Sequence, residues 1–131
     1  MTLVRSIRRL VAATCATLAL ASCHRPSDLP ANFEARVASE SARQGGAAPY
    51  LRYCALCHGE RGDGHGLRTS AFATPPRDFT SAAWRRSTSP ARVFRAIRDG
   101  MPATPMPAWR HLGDDSLIDL TAYVLDRSPR Q

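Results

Sequence analysis

Two cysteines and two histidines lie within the stretch CALCHGERGDGHG, which runs from Cys54 to Gly66 of a 131-residue chain. Its first five residues form a C-x-x-C-H motif, the sequence at which c-type haem is attached. Two thiols at this spacing on one helical turn can form thioethers to one edge of a porphyrin, and the next residue then projects its imidazole beneath the iron. The motif predicts one covalently bound haem c, attached at Cys54 and Cys57, with His58 as an axial ligand of its iron.

Three other uses of the two thiols have to be weighed. A structural zinc site would need a fourth ligand beyond Cys54, Cys57 and either His58 or His65, and no second C-x-x-C follows. A thioredoxin-like dithiol would lie between a strand and a helix, a pattern that is absent here. Two free thiols usually pair in an oxidising compartment, but a C-x-x-C disulfide without a redox domain around it would be unusual. These comparisons favour haem.

A second ligand for the iron can come from the segment GMPATPMPAW, Gly100 to Trp109. A methionine thioether raises the reduction potential of haem, as in electron-carrying cytochromes. Met106 has a proline on each side, and the fixed φ angles of the prolines stiffen the backbone that holds its sulfur. Met101 directly follows a predicted helix end and is more typical of a packing residue. We expect Met106 to bind the iron, with Met101, His65, His111 or an open site as the alternatives.

Helical patterns surround these residues, and no strand pattern is evident. Apolar residues recur at helical spacing in Ala47 to Cys57, and a second helix is predicted from a Ser89 cap and Pro90 to Gly100. A third helix starts at Asp114 and Asp115, buries one side of the segment from Leu117 to Leu125, and ends near Arg127. The turn-rich segments 59–66, 74–76 and 102–107 connect them. The sequence therefore predicts short helices joined by long loops.

So few short helices bury too little apolar surface to offset the entropy of the chain comfortably. Small domains of this kind usually contain a staple or a cofactor, and a haem at the centre of the core would fill that role. We expect apolar side chains to pack around it, each with a structural role: Phe72, Phe79, Trp84, Phe94, Trp109 and Leu112.

The N-terminus indicates export. Three arginines precede an apolar segment, Leu10 to Leu20, which is too short to span a bilayer. It is followed by Ala-Ser-Cys23, and the stretch resembles the lipobox of bacterial lipoproteins, which are cut before the cysteine that is then acylated. We expect residues 1–22 to be a lipoprotein-type signal peptide, Cys23 to be lipidated, and the protein to lie on the periplasmic side of a bacterial membrane. An ordinary secretory signal and an uncleaved anchor are the alternatives.

Residues 23–45 are rich in polar and small side chains, and we expect them to form a tether with a short helix around Phe33 to Arg43. As a flexible coil the tether would have an r.m.s. span of about 25 Å. The folded domain would then be residues 46–131.

Within residues 46–127 the chain resembles the class I cytochrome c family, in particular its small bacterial monohaem domains. The residues that carry the resemblance are Gly46-x-x-x-Tyr50-x-x-x-Cys54, CALCHG, Met106-Pro107-Ala108-Trp109 and the segment LTAYV at 120–124. The resemblance implies an all-α cytochrome c fold around covalent haem with His/Met ligation. It also implies that Gly46 meets Tyr123 where the first and last helices cross. A carbonyl at Pro75 or Pro76 would accept a hydrogen bond from His58. The extra Met101 and the proline-rich ligand loop depart from the family pattern.

The charge pattern bears on function. The formal net charge is +7, and it falls to +4 when residues 1–22 are removed with their three arginines. Six arginines between 77 and 98 can form a positive patch that steers an acidic redox partner, or simply a solvated face. Nucleic-acid binding is not expected at this charge in an exported protein. We expect a single-electron carrier between redox proteins or membrane respiratory complexes, without enzymatic activity or a small-molecule substrate. The alternative is a haem subunit, or a small haem enzyme or ligand sensor whose methionine is labile.

Overall fold

The computed structural model describes residues 28–128, and all regular structure in that range is helical. The predicted all-α class is confirmed. The helices are α1 (Phe33–Val37), α2 (Glu40–Gly45), α3 (Ala47–Tyr53), α4 (Ala55–His58), α5 (Ala82–Ser87), α6 (Pro90–Asp99) and α7 (Gly113–Asp126), with short 3-10 turns at Thr69–Ala71 and Arg110–Leu112.

Helix α7 is the centre of the fold, and α1, α2, α3 and α6 all pack against it. Its apolar residues are buried on nearly every side, a pattern typical of a helix enclosed by others. Five of its predicted apolar residues are buried, and the sixth, Tyr123, is half-buried: Leu117, Ile118, Leu120, Val124 and Leu125 form the buried set. Thr121 is buried with them, and its hydroxyl donates a hydrogen bond to the carbonyl of Leu117 at 2.7 Å.

Local signals set the bounds of α6 as predicted. The hydroxyl of Ser89 accepts a hydrogen bond from the backbone N–H of Arg92 at 3.3 Å, and Pro90 occupies the first helical position. Gly100 ends the helix with a φ of 72°, in the region that favours glycine. The helix buries Val93, Phe94 and Ile97 against the core.

The close crossing expected between Gly46 and Tyr123 is also present. A Cβ atom on Gly46 would collide with the carbonyl oxygen of Asp119 and would lie 2.6 Å from the Cβ of Tyr123. Beside this contact the rings of Tyr50 and Tyr123 have centroids 4.9 Å apart. Glycine at 46 therefore lets the start of α3 approach the backbone of α7.

The N-terminal boundary differs from the expected tether over residues 23–45. Phe33 is only 4% exposed, and its ring contacts that of Phe94 edge to face at 5.1 Å. Val37 lies one turn later on the same side of α1 and is buried as well. Burying these two side chains stabilises the segment against α6 and α7, so the folded part begins before residue 46.

The predicted signal peptide, residues 1–22, and the predicted lipidation site, Cys23, lie outside the described residues. Within residues 28–128, no helix is both long enough and apolar enough to cross a membrane.

Candidate haem site

The C-x-x-C-H motif forms a tight turn at the junction of α3 and α4. Cys54 joins the two helices, and its carbonyl accepts hydrogen bonds from the N–H groups of Cys57 and His58 at 3.1 and 2.9 Å. The predicted helix from Ala47 to Cys57 is therefore two helices that meet at Cys54. Both thiols are free and partly buried, and burial raises the pKa of Cys54 to about 12.

His58 is oriented by a residue far along the chain. Its Nδ1 lies 3.2 Å from the carbonyl oxygen of Arg77. Because a carbonyl only accepts hydrogen bonds, Nδ1 must carry the proton, and Nε2 keeps a free lone pair. The imidazole ring stacks on Phe79, with centroids 4.5 Å apart and an interplanar angle of 19°. Burial lowers the pKa of His58, and the hydrogen bond to Arg77 partly offsets this effect.

The expectation that Pro75 or Pro76 would accept this hydrogen bond is wrong by one residue. The carbonyl of Pro76 lies instead against Gly64, where a Cβ atom would come within 2.8 Å of its oxygen. The next carbonyl along the chain, that of Arg77, accepts the hydrogen bond from His58 instead. The two prolines thus lead to the acceptor but do not provide it.

The glycine-rich loop after the motif folds back onto it. The N–H of Gly64 donates to the carbonyl of His58 at 2.8 Å, and that of Gly66 donates to the carbonyl of Cys57 at 3.2 Å. A side chain on Gly66 would collide with the backbone of the motif. His65 points away from it, with its side chain 83% exposed and its Nδ1 at 2.9 Å from the carbonyl of Asp63.

The segment that carries both methionines is a closed loop. The N–H of Met101 donates to the carbonyl of Met106 at 3.2 Å, and the hydroxyl of Thr104 donates to the carbonyl of Met101 at 2.7 Å. The loop is tied to α6 by a hydrogen bond from the N–H of Trp109 to the carbonyl of Ile97 at 3.1 Å. Met106 packs against the core, whereas Met101 is 49% exposed.

An aromatic contact joins the methionine loop to the motif. Trp109, three residues after Met106, lies against Tyr53, the residue before Cys54, with ring centroids 5.3 Å apart. Trp109 also contacts His111, which is exposed. The contact with Tyr53 therefore ties the methionine loop to the residue that precedes the motif.

Most of the expected packing residues belong to this core. Phe79 and Phe94 are buried, and Trp84, Trp109 and Leu112 pack against the core from its edge. Phe94 contacts Phe33, a residue of the segment that is expected from sequence to be a tether. Phe72 is half-buried and is not one of the residues packed against this core.

The donor set fits haem c better than its competitors. Two free thiols and a histidine with an unprotonated Nε2 share one turn, as covalent attachment and iron ligation require. Among residues 28–128 no three His, Cys, Asp or Glu side chains converge to hold a metal ion, which argues against zinc. The same residues contain no strand, so they lack the setting of a thioredoxin-like dithiol.

Residues 40–124 match the family model described as "Cytochrome C oxidase, cbb3-type, subunit III". The chain belongs to this family of c-type cytochrome domains. The resemblance to class I c-type cytochromes is confirmed, and so is the predicted cofactor, covalently bound haem c. Membership implies haem-based electron transfer.

Two solved structures support the same assignment. The "KustC0563 c-type cytochrome" is 30% identical, with a TM-score of 0.55, and the match covers 64% of this chain and 98% of that one. A chain of the "Kuenenia stuttgartiensis reducing HAO-like protein complex Kustc0457/Kustc0458" is 25% identical, also with a TM-score of 0.55. That match covers 69% of this chain and 42% of the other, so this protein spans less than half the length of that relative.

Proposed function

We propose that the chain is a monohaem electron carrier, tethered by lipid at Cys23 to the periplasmic side of a bacterial membrane. In this proposal Cys54 and Cys57 bind the haem through thioethers, and His58 and Met106 bind the iron. The main observation that supports the proposal is the hydrogen bond from His58 to the carbonyl of Arg77, because His58 shares its turn with two free thiols. When bound, haem c supplies one-electron exchange between the ferric and ferrous states of its iron.

His58 acts as a preoriented ligand. The carbonyl of Arg77 holds the proton on Nδ1, so Nε2 is available as a neutral donor without loss of a proton. The Phe79 ring restricts rotation of the imidazole from one side. Such outer contacts fix the ring orientation of a ligating histidine and raise its basicity.

Met106 is favoured over Met101 by burial and by position. Its side chain packs against the core, and Trp109 ties its loop to the helix that carries the motif. Met101 is about half exposed, and its backbone N–H is the donor of the hydrogen bond that closes the loop at Met106. A soft thioether ligand favours the ferrous state and therefore gives a higher potential than a second histidine would.

The absence of an enzymatic role is part of the proposal. His58 and Met106 would both hold the iron, and the haem would then supply electron exchange without binding a substrate. The candidate acid–base groups do not help either, since His65 is engaged with Asp63 and His111 lies against Trp109 at the surface.

A second candidate, a haem subunit of a larger assembly, is favoured by the comparisons. The family model is described as a subunit of an oxidase, and one structural relative is a chain of a redox complex. We infer redox proteins or membrane respiratory complexes as partners in either case. The two candidates differ in whether the purified protein is stable and monomeric in the absence of other subunits.

The deciding experiment is to record optical spectra of the holoprotein for wild type, Met106→Ala and the matched control Met101→Ala. An electron carrier gives a low-spin six-coordinate spectrum with a methionine–iron charge-transfer band. Met106→Ala should lose the band and bind carbon monoxide readily, whereas Met101→Ala should keep it. A wild type that is high-spin or binds carbon monoxide unaided would favour a haem enzyme or sensor instead.

The lipid anchor at Cys23 needs a separate test. Mass spectrometry of the mature protein should find an acylated N-terminus at Cys23, and Cys23→Ala should release the protein from membranes while its haem spectrum stays unchanged. An unmodified N-terminus elsewhere would contradict the lipid anchor but leave the electron-carrier proposal intact.

A further inference from the structure

The N-terminal segment is clamped to the outside of α6 by Asp28. Its carboxylate accepts two hydrogen bonds from Arg95, at 2.8 and 2.7 Å, and one from Arg98 at 3.2 Å. Arg98 also donates to the backbone carbonyl of Asp28 at 2.7 Å. Paired N–H donors on one carboxylate fix its position as well as its charge. The chain therefore joins the domain at a defined place, beside the outer face of α6.

The distance from this place to the proposed lipid is short. Only five residue steps separate Cys23 from Asp28. A fully extended chain spans at most about 3.6 Å per residue, so the two Cα atoms can be no more than about 18 Å apart. A lipid on Cys23 would thus hold the clamped face of the domain close to the bilayer, whereas a tether through residue 45 would have let the domain turn freely.

Three further arginines lie on α6 and at the end of α5, the helix just before it. Arg92 lies one turn before Arg95 on α6 and is exposed. Arg85 and Arg86 are near the end of α5 and line a groove of about 590 Å³ together with Pro90, the first residue of α6. Within residues 28–128 none of Arg85, Arg86 and Arg92 forms an ion pair, so their guanidinium groups are available to an external anion.

Two carboxylates on or against α6, Asp28 and Asp99, are already paired with Arg95, Arg98 and Arg110. Glu34 and Asp126 line the same groove. Asp126 already lies 4.0 Å from a guanidinium nitrogen of Arg43 and 3.8 Å from one of Arg127. With Arg43, Arg85 and Arg86 against Glu34 and Asp126, the groove keeps a net positive charge. Arg92, unpaired within the described residues, adds a positive charge on α6.

We propose that the arginine face, defined by Arg85, Arg86, Arg92 and the Asp28 clamp, rests on the membrane and binds the phosphate groups of anionic lipids. This inference depends on the proposed lipidation of Cys23. The planar guanidinium group suits phosphate because it donates two parallel hydrogen bonds. Each arginine near an anionic bilayer contributes about fivefold to binding, so three would favour the bound orientation by roughly a hundredfold. The lipid anchor would then fix one preferred orientation of the domain.

The test uses full-length acylated holoprotein on two kinds of vesicle, phosphatidylcholine alone and equal parts of phosphatidylcholine and phosphatidylglycerol. Amide hydrogen exchange measures which segments become protected. Wild type should show protection of α5 and α6 on the anionic vesicles only, and the protection should fall at high salt because exposed charges are screened. Equal exchange of α5 and α6 on both vesicles would overturn the proposal.

A matched pair of variants separates this face from general charge. The first variant is Arg85→Gln/Arg86→Gln/Arg92→Gln. Its arginine face should bind the anionic surface roughly a hundredfold more weakly, so the protection should be lost, while the lipid keeps the protein on the vesicles. The control Arg52→Gln/Arg61→Gln/Arg68→Gln removes the same charge elsewhere and should retain protection. Equal loss in both variants would indicate general attraction and overturn the inference. An absence of acyl mass at Cys23 would overturn the anchor together with the inference, and the haem spectra would still decide the electron-carrier proposal.

Discussion

The Nδ1 atom of His58 lies 3.2 Å from the carbonyl oxygen of Arg77, nineteen residues further along the chain. This hydrogen bond links the motif to a loop that enters through two consecutive prolines. It sets the tautomer of the expected iron ligand, so the stiffness of the loop should affect the donor strength of His58 and thereby the reduction potential of the haem. Neither residue could have been paired with the other from local sequence alone.

The first prediction concerns the loop. Pro76→Gly should loosen the approach to Arg77 and lower the free energy of unfolding by about 0.4–1 kcal/mol, because the unfolded chain gains freedom. A weaker bond at Nδ1 should make His58 a poorer donor and raise the reduction potential. The control Ala73→Gly changes chain entropy in the same loop before the prolines. A potential that shifts equally in both variants would contradict a specific role for the Arg77 carbonyl.

The second prediction concerns the methionine ligand. Met106→His should lower the reduction potential by tenths of a volt, within the roughly 0.8 V range that axial ligands cover. Met101→His should leave it nearly unchanged, because Met101 is half exposed at the other end of the loop. Potentiometric titration of both holoproteins measures the difference. The reverse ranking would assign the ligand to Met101.

Where the chemistry of a segment is local, the sequence was sufficient. Ser89, Pro90 and Gly100 predicted the bounds of α6, since caps and breakers act on their own helix. A comparable signal is present at Ser81, whose hydroxyl accepts a hydrogen bond from the N–H of Trp84 at 3.3 Å, and it indicates the start of α5.

Contacts between distant residues could not be predicted in this way. Nothing in the composition of the N-terminal segment shows that Phe33 would meet Phe94, or that Asp28 would meet Arg95. A polar, proline-containing stretch is typical of a linker, and only the packed fold shows that its two apolar residues have partners. The acceptor for His58 is the carbonyl of Arg77 and not that of a proline, because the direction of each carbonyl depends on the path of the whole loop.

The third prediction tests the helix crossing. Gly46→Ala should lower the free energy of unfolding by about 1–3 kcal/mol, since the new methyl group would meet the backbone of α7 at Asp119. At the neighbouring Gly45 a methyl group would meet only the carboxylate end of Asp119, which can move. Gly45→Ala is therefore the matched control and should cost less. Denaturant unfolding of the holoproteins compares them, and equal losses would argue against a close backbone crossing.

The fourth prediction tests whether the N-terminal segment belongs to the core. Phe33→Ala should destabilise the protein by about 3–5 kcal/mol, the usual cost of removing a buried aromatic ring. Glu34→Ala, at the exposed neighbouring position, should change stability by less than about 0.5 kcal/mol. If both variants unfold like wild type, residues 28–45 are a tether after all.

The fifth prediction is a pH dependence at Asp28. The hydrogen bonds from Arg95, followed by those from Arg98, hold the pKa of this carboxyl well below its usual value of 3.8. A group whose folded pKa is depressed stabilises the fold above its unfolded pKa and loses that contribution as the pH falls through the folded pKa. The stability difference between wild type and Asp28→Asn should thus be fully present at neutral pH and should shrink below about pH 4.

Unfolding measured at pH 7 and pH 3, at low and high salt, checks the sign. Because Asp28 is at the surface, salt should weaken the clamp at neutral pH. Asn keeps the size of the side chain but has no charge and one acceptor oxygen fewer. Neither its packing nor its amide titrates in this range, so a difference that depends on pH must come from the Asp28 carboxyl. A constant difference across this range would mean that Arg95 and Arg98 hold the segment through shape alone, and the chain from Cys23 would then have no charged anchor point on α6.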